Sequence, residues 1–175
     1  MGMIICFQSE GTLVDKAIEK VQLAMGFSAY ASRFTHVAVS GGGPFFVEST
    51  FPFGRVSDLR VKGVDRIKLF LFYKNDIFRS TGRYKVSFWA ATKNNLPYSW
   101  PSLLWFPLRL ILPLGKKNFL TPKVAFFCSY LCCWSMNRSG FDPFPSLHPS
   151  AIVPAHFIES LAFDRWKVRY STGGR

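Results

Sequence analysis

A thiol nucleophile needs a base to take its proton and a third group to hold that base in place. Cys128, His36 and Glu48 are the residues of this chain that meet the requirement. Cys128 belongs to the stretch from Phe126 to Gly140, which reads as one helix. Cys128, Leu131, Cys132 and Met136 recur near helical spacing, and Gly140 follows Arg138 as a C′ residue. His36 sits in the strand from Phe34 to Ser40, and Glu48 ends the strand from Phe45. Gly41-Gly42-Gly43-Pro44 between them is a tight turn, so the two strands form a hairpin. His36 and Glu48 therefore share a hairpin, and their side chains meet if the register allows.

The start of the cysteine helix decides how strongly it can help. If Cys128 lies in the first turn, unpaired N–H groups lower its pKa, and one can bind an oxyanion. If the helix starts at Thr121-Pro122, that help is much weaker. Each residue also has a plainer reading. Cys128 can be a small buried apolar residue, as many cysteines are. His36, in an apolar strand, can be a structural imidazole. Glu48 follows Phe45-Phe46-Val47, where a carboxylate must face solvent or have a partner. His148 and His156 stand near prolines and read as surface or capping residues.

Several elements must position these groups. Met3 to Phe7 is a short strand. Thr12 is an N-cap with Asp15 in the capping-box position, and the helix that follows is expected to bury Leu13, Ala17, Val21 and Ala24, ending at Gly26. Ser28 to Arg33 reads as a loop. Val56 to Arg60 is a third short strand, and Arg66 to Tyr73 is a buried one. Asp76 to Ala91 is open between helix and strand, while Ser102 to Leu112 is a helix or a broken helix. Ser150 to Pro154 leads to a short helix ending near Leu161, and Trp166 to Tyr170 is the last strand. The triple glycine is not a phosphate loop, because it lacks the Gly-Lys-Ser/Thr that follows one and a strand comes next rather than a helix.

Composition bounds the rest. The 175 residues are 49% hydrophobic and 17% aromatic, which excludes a disordered chain and allows one domain with one core, residues 1–175. A net charge of +12 on only 18% charged residues leaves a basic surface, suited to an anionic polymer or an anionic membrane surface. Cys128, Cys132 and Cys133 on one helix, with Cys6, make a poor disulfide framework, and no second Cys-x-x-Cys or histidine cluster completes a zinc site. Reduced thiols suggest a cytoplasmic protein, and neither a metal nor a cofactor is expected. Met1 to Phe7 lacks a basic n-region and is too short for a signal peptide. The apolar run from Trp100 to Leu114 is broken by Pro101, Pro107, Arg109 and Pro113 and falls short of the roughly 20 residues of a bilayer helix.

Taken together, Phe34-Thr35-His36-Val37-Ala38-Val39, the glycine turn and Phe45-Phe46-Val47-Glu48-Ser49 resemble the histidine hairpin of the circularly permuted papain-like cysteine hydrolases, relatives of the NlpC-type peptidoglycan peptidases. Phe127-Cys128-Ser129-Tyr130-Leu131 is similar to their late cysteine motif, and Val153-Pro154-Ala155-His156 to the proline-led helix that follows it. Met3 to Phe7 matches their opening strand. The resemblance spans Met3 to about Tyr170. It implies an α+β fold with a central antiparallel sheet packed on the cysteine helix. It also implies Cys128 as nucleophile, His36 as base and Glu48 as third member. The reaction it implies is acyl transfer to water or another acceptor. Amidases and peptidases acting on cell-wall peptide come first, and lipid or ester acyl hydrolases and acyltransferases second. Tyr130 stands where the family carries glutamate, and Met3 where it carries aspartate. Gln8 is a candidate oxyanion donor, and Ser129, Tyr130 and Phe45 are candidate substrate contacts.

Two readings without catalysis stand beside this one. Lys62, Arg66, Lys68, Arg79, Arg83, Lys85 and Lys116-Lys117, with Tyr73 and Tyr84 between them, offer basic and stacking groups for nucleic acid. No zinc finger, helix-turn-helix or ribonucleoprotein signature accompanies them, so specific nucleic-acid binding is not expected. An inactive relative that keeps the fold to bind a partner is the other.

Overall fold

The computed structural model describes residues 1–61, 67–74, 82–112, 117–120 and 124–167. Six strands, β1 (Ile4–Gln8), β2 (Phe34–Gly42), β3 (Phe45–Ser49), β4 (Gly54–Asp58), β5 (Ile67–Tyr73) and β6 (Phe163–Lys167), form one sheet. Its order is β4-β3-β2-β1-β5-β6, with every neighbouring pair antiparallel. Among the described residues the α-helices are α1 (Leu13–Ala24), α2 (Ala29–Ser32), α3 (Arg83–Ala91), α4 (Pro101–Ile111), α5 (Cys128–Arg138) and α6 (Pro154–Glu159). The chain is thus α+β with a central antiparallel sheet. Among the described residues no helix is long and apolar enough to cross a membrane.

Strand alternation divides the core. Ile4, Cys6, Val37, Val39, Val47, Leu69 and Leu71 point to one face, where Phe127, just before α5, Leu131, Cys132 and Met136 of α5 and Val86 and Ala90 of α3 pack on them. Ile5, Phe7, Ala38 and Phe46 form a smaller cluster on the opposite face. β1 is central and buried on both faces, so its apolar run does not alternate. Each fully buried large side chain here contributes roughly 1.5–3 kcal/mol relative to exposure.

The local elements resolve the open sequence readings. Arg83–Ala91 is helical, while the earlier part of the ambiguous segment lies largely outside the described residues, as do Thr121-Pro122. The cysteine helix starts at Cys128 and ends at Arg138, and Gly140 takes φ +87°, the left-handed conformation a C′ glycine supplies. Ser28–Arg33, read as a loop, contains α2, capped by Ser28 Oγ accepting from the Ala31 N–H at 3.2 Å. The last strand begins at Phe163, three residues before the expected start at Trp166. Gly2 is at φ +70°, and an added Cβ would lie 2.0 Å from the Arg83 carbonyl oxygen, so only glycine fits there.

One expectation is reversed. Thr12 caps α1 as read, accepting from the Asp15 N–H at 3.1 Å. Yet Leu13 is 87% exposed, and the buried residues of the helix are Asp15 and Gln22. Their polar atoms find partners in the neighbouring elements, which is what permits the burial. Asp15 Oδ1 accepts from Thr35 Oγ1 at 2.6 Å. Gln22 Nε2 donates to the carbonyls of Ser32 and Phe34 at 2.9 and 3.1 Å, and its Oε1 accepts from the Ala155 N–H at 2.8 Å. This docking of α1 on β2 and α6 leaves its apolar side turned toward α4.

Candidate active site

His36 and Glu48 are joined by register. β2 and β3 pair Val39 with Val47 and Ser40 with Phe46. The same register sets Glu48 opposite Ala38, two residues along the strand and on the same face as His36. The His36 ring lies 5.3 Å from the Phe7 ring, its cross-strand partner in β1, and Phe7 packs on Phe46 at 5.5 Å. These rings form the apolar seat of the imidazole, which stays 20% exposed.

Glu48 is fully buried, and its two oxygens do different work. Oε2 lies 2.8 Å from His36 Nε2. Oε1 accepts from Ser57 Oγ at 2.7 Å and from Arg55 Nε at 3.1 Å. Both donors come from β4, where Arg55 is the direct cross-strand partner of Glu48. A buried carboxylate is tolerated because donors surround it. With Nε2 facing Glu48, the other ring nitrogen of His36 is left for Cys128, and the two groups shift each other's pKa.

Cys128 is the first residue of α5, and no side chain caps that helix start. Burial pushes its thiol up, but the His36 hydrogen bond and charge, with N–H groups of Val37 and Ser129, bring the net pKa below the ordinary thiol value. Val37 lies beyond the β2–β3 ladder, whose pairs run from Val39↔Val47 to Gly42↔Phe45. Burial also lowers His36, but the Cys128 and Glu48 partners outweigh it and raise the imidazole to about 9. Cys6, Cys132 and Cys133 go the other way, all pushed up by burial. Of four thiols, one is activated.

Tyr98 completes the surroundings of the sulfur and was not singled out from the sequence. A parallel bridge pairs Tyr98 with Phe126, supported by Ser99 N–H donating to the Phe126 carbonyl at 2.9 Å. The Phe126 carbonyl also accepts from Ser49 Oγ at 2.7 Å, which ties this loop to the end of β3. Burial, then the negative charge on Cys128, raises the Tyr98 phenol well above its ordinary value. The phenol is therefore protonated and able to donate beside the sulfur. Its only sequence signal is an aromatic directly after Pro97.

Two cavities meet at Cys128. One, about 350 Å³, is lined by His36, Glu10, Thr12, Asp15, Thr50 and Phe51 among others. The second, about 340 Å³, is lined by apolar residues of α1 and α4 with Phe127, Ser129, Val153 and Pro154. Thr35, Tyr98, Val14, Ile18, Leu103 and Cys128 border both.

The remaining candidates sit as follows. Ser129 borders the apolar cavity, but its Oγ is committed to the Ile152 carbonyl at 2.5 Å. Tyr130 is half-buried and stacked on Phe126 at 4.7 Å. Phe45 lies at the far end of β3 from Glu48, half-exposed. Gln8 follows the β1 bulge opposite Phe34. Gln8, Phe45 and Tyr130 line neither cavity at Cys128. The other histidines cap: His148 Nδ1 accepts from the Ser150 N–H, and His156 Nδ1 from the Val153 N–H at 3.0 Å. Burial pushes His156 down to about 4, consistent with a neutral acceptor.

No protein-family model matches the chain, and no curated protein matches it.

Proposed function

We propose that the chain is a cysteine-dependent acyl-transfer hydrolase in which Cys128 is the nucleophile, His36 the acid–base group and Glu48 the residue that holds His36. The observation that carries the reading is the chain of contacts from Glu48 Oε2 through His36 to the one thiol of four whose pKa is lowered. We also infer a circularly permuted papain-like topology. The order of its parts supports this, with the histidine strand early, the cysteine helix late, and an antiparallel sheet between.

In the reaction, the Cys128 thiolate attacks the carbonyl carbon of an amide, ester or thioester, and the S–C bond forms as the carbonyl oxygen takes the negative charge. The N–H groups at the start of α5 and the Tyr98 hydroxyl are the donors for that oxygen. The tetrahedral centre collapses, the bond to the leaving group breaks, and protonated His36 gives its proton to the departing atom. Water then attacks the acyl-enzyme with its proton passing to His36. The S–C bond breaks, and a carboxylic acid leaves. Glu48 fixes the imidazole orientation and favours its protonated form throughout.

The rate of Cys128 alkylation across pH tests this reading. Wild type is expected to show an inflection well below the free-thiol value of about 8.5. In His36→Ala the inflection moves back up to or above that value. Slow labelling with an unshifted profile in both proteins overturns the reading and brings the basic surface forward as the functional feature. A positive result opens a screen of peptide amides, including cell-wall peptide, alongside acyl esters.

A further inference from the structure

The two cavities at Cys128 differ in one respect that bears on the substrate. His36 borders the first and not the second. The group that leaves must receive its proton from His36, so it has to lie on the His36 side of the sulfur. The acyl portion, still bonded to the attacked carbonyl carbon, then extends to the opposite side. That side is the cavity between α1 and α4.

Its walls are aliphatic and aromatic. Leu13, Val14 and Ala17 of α1 face Leu104, Phe106 and Pro107 of α4. A volume of about 340 Å³ falls within the roughly 300–1,000 Å³ of pockets that bury small molecules. Polar groups that would read a peptide are scarce there: Thr35 and Tyr98 stand at its Cys128 end, Gln22 is held by three backbone partners, and Ser129 Oγ is bonded to Ile152. The rim continues the same chemistry, with Leu13, Val14 and Leu104 all more than half exposed. An apolar face left open beside a nucleophile is an unusual feature in a helix whose buried side carries Asp15 and Gln22.

We infer that this cavity is the acyl subsite and takes an aliphatic chain, so that the substrates are fatty-acyl esters, thioesters or amides, with the polar leaving group in the His36 cavity. The inference rests on the hydrolase reading for the chemistry, but the subsite is testable without it.

The first arm measures binding alone. Cys128→Ser protein is titrated with dansyl-undecanoic acid, with decanoate and acetate as competitors. Saturable binding displaced by decanoate and not by acetate is expected, and adding Ala17→Trp, which lays an indole across the cavity from an exposed helix position, weakens it at least about tenfold. The denaturation midpoint of the double variant reports that it is folded, and Leu104→Trp blocks the same cavity from α4 if it is not. The second arm follows wild-type hydrolysis of p-nitrophenyl acetate, butyrate, octanoate and decanoate below their aggregation limits. Each methylene that enters the cavity multiplies kcat/KM by up to about fourfold. A rise of at least about tenfold from butyrate to octanoate is expected, and Ala17→Trp cancels it. Fatty-acid release from phosphatidylcholine vesicles marks a bilayer lipid as the acyl source, whereas turnover confined to monomeric esters marks a soluble one; both support the subsite. Cys128-dependent hydrolysis that is flat with chain length overturns it, as does probe binding that the tryptophans leave untouched. Chain binding without any ester turnover keeps the subsite and removes the hydrolase.

Discussion

Arg55 faces Glu48 directly across β3 and β4, and its guanidinium takes the carboxylate oxygen that His36 does not. Ser57 shares that oxygen. The carboxylate is therefore held through Oε1 by β4 and meets the imidazole through Oε2. This division of labour makes Glu48 more than a negative charge near a histidine, and it leads to the first prediction.

In Glu48→Gln the amide oxygen stays with the charged Arg55 donor, so the NH₂ group turns toward His36 Nε2. The ring must then accept at Nε2 and carry its proton on Nδ1, where it cannot take the Cys128 proton. A loss of kcat/KM of about 10²-fold or more is expected, within the range that general acid–base catalysis contributes. In wild type, the proposed activity is expected to rise as Cys128 ionises and to fall as His36, raised to about 9, deprotonates. Glu48 is one cause of the raised His36 value, so the alkaline limb of the residual activity moves to lower pH in the variant. A pH–rate profile checks both.

Tyr98→Phe removes a phenol that burial, and then the sulfur's negative charge, keep protonated. As the proposed oxyanion donor it would act on the tetrahedral centre and not on the resting thiol. Its loss lowers kcat by about 10²–10³-fold, while the rate of Cys128 alkylation stays close to wild type. Equal loss in both measurements would assign Tyr98 to positioning of the thiol instead.

Asp15 ties the start of α1 to β2. Burial pushes its carboxyl up, but hydrogen bonds from Thr35 at 2.6 Å, from Thr12 at 2.9 Å and from the Glu10 N–H at 3.0 Å outweigh it and hold the pKa below the ordinary value. A lowered carboxylate contributes stability above its unfolded pKa of about 3.9 and loses it as pH falls through the folded value. Asp15→Asn is expected to destabilise by about 1–3 kcal/mol at neutral pH. Its acid-side stability curve should also be flatter than wild type. Urea denaturation at several pH values reads both effects.

Gln22 is fully buried and joins three elements through three hydrogen bonds, to Ser32, Phe34 and Ala155. The Ala155 N–H is one of the unpaired donors at the start of α6. Gln22→Leu keeps the volume and strands all three backbone groups, at about 1–3 kcal/mol for each group left unsatisfied. A total loss of at least about 3 kcal/mol is expected in chemical denaturation. A loss under about 1 kcal/mol would mean that the groups find other partners.

Much of the site was legible because its signals are local. The glycine turn places His36 and Glu48 on adjacent strands, and alternation within each strand is a property of the backbone. The helix around Cys128 declares itself by spacing and by Gly140. The α+β class, which the resemblance implied, agrees with the six-stranded antiparallel sheet and the helices of the structure.

What remained needed contacts between distant segments. The start of α5 at Cys128 is set where the preceding residues pair with Pro97 and Tyr98, so that Phe126 and Phe127 are extended rather than helical. The choice among four cysteines is likewise not written near any of them, since all four are buried and only Cys128 meets an imidazole and free N–H groups. The burial of α1 went against its hydrophobic spacing. Partners for Asp15 and Gln22 lie on α2, β2 and α6, and satisfying a buried polar group outranks covering one more leucine. Sequence alone determined which thiols, imidazoles and carboxylates were available to form a site. The tertiary structure decided which thiol is activated and which helix face stays open beside it, because both depend on hydrogen-bond partners that come from far along the chain.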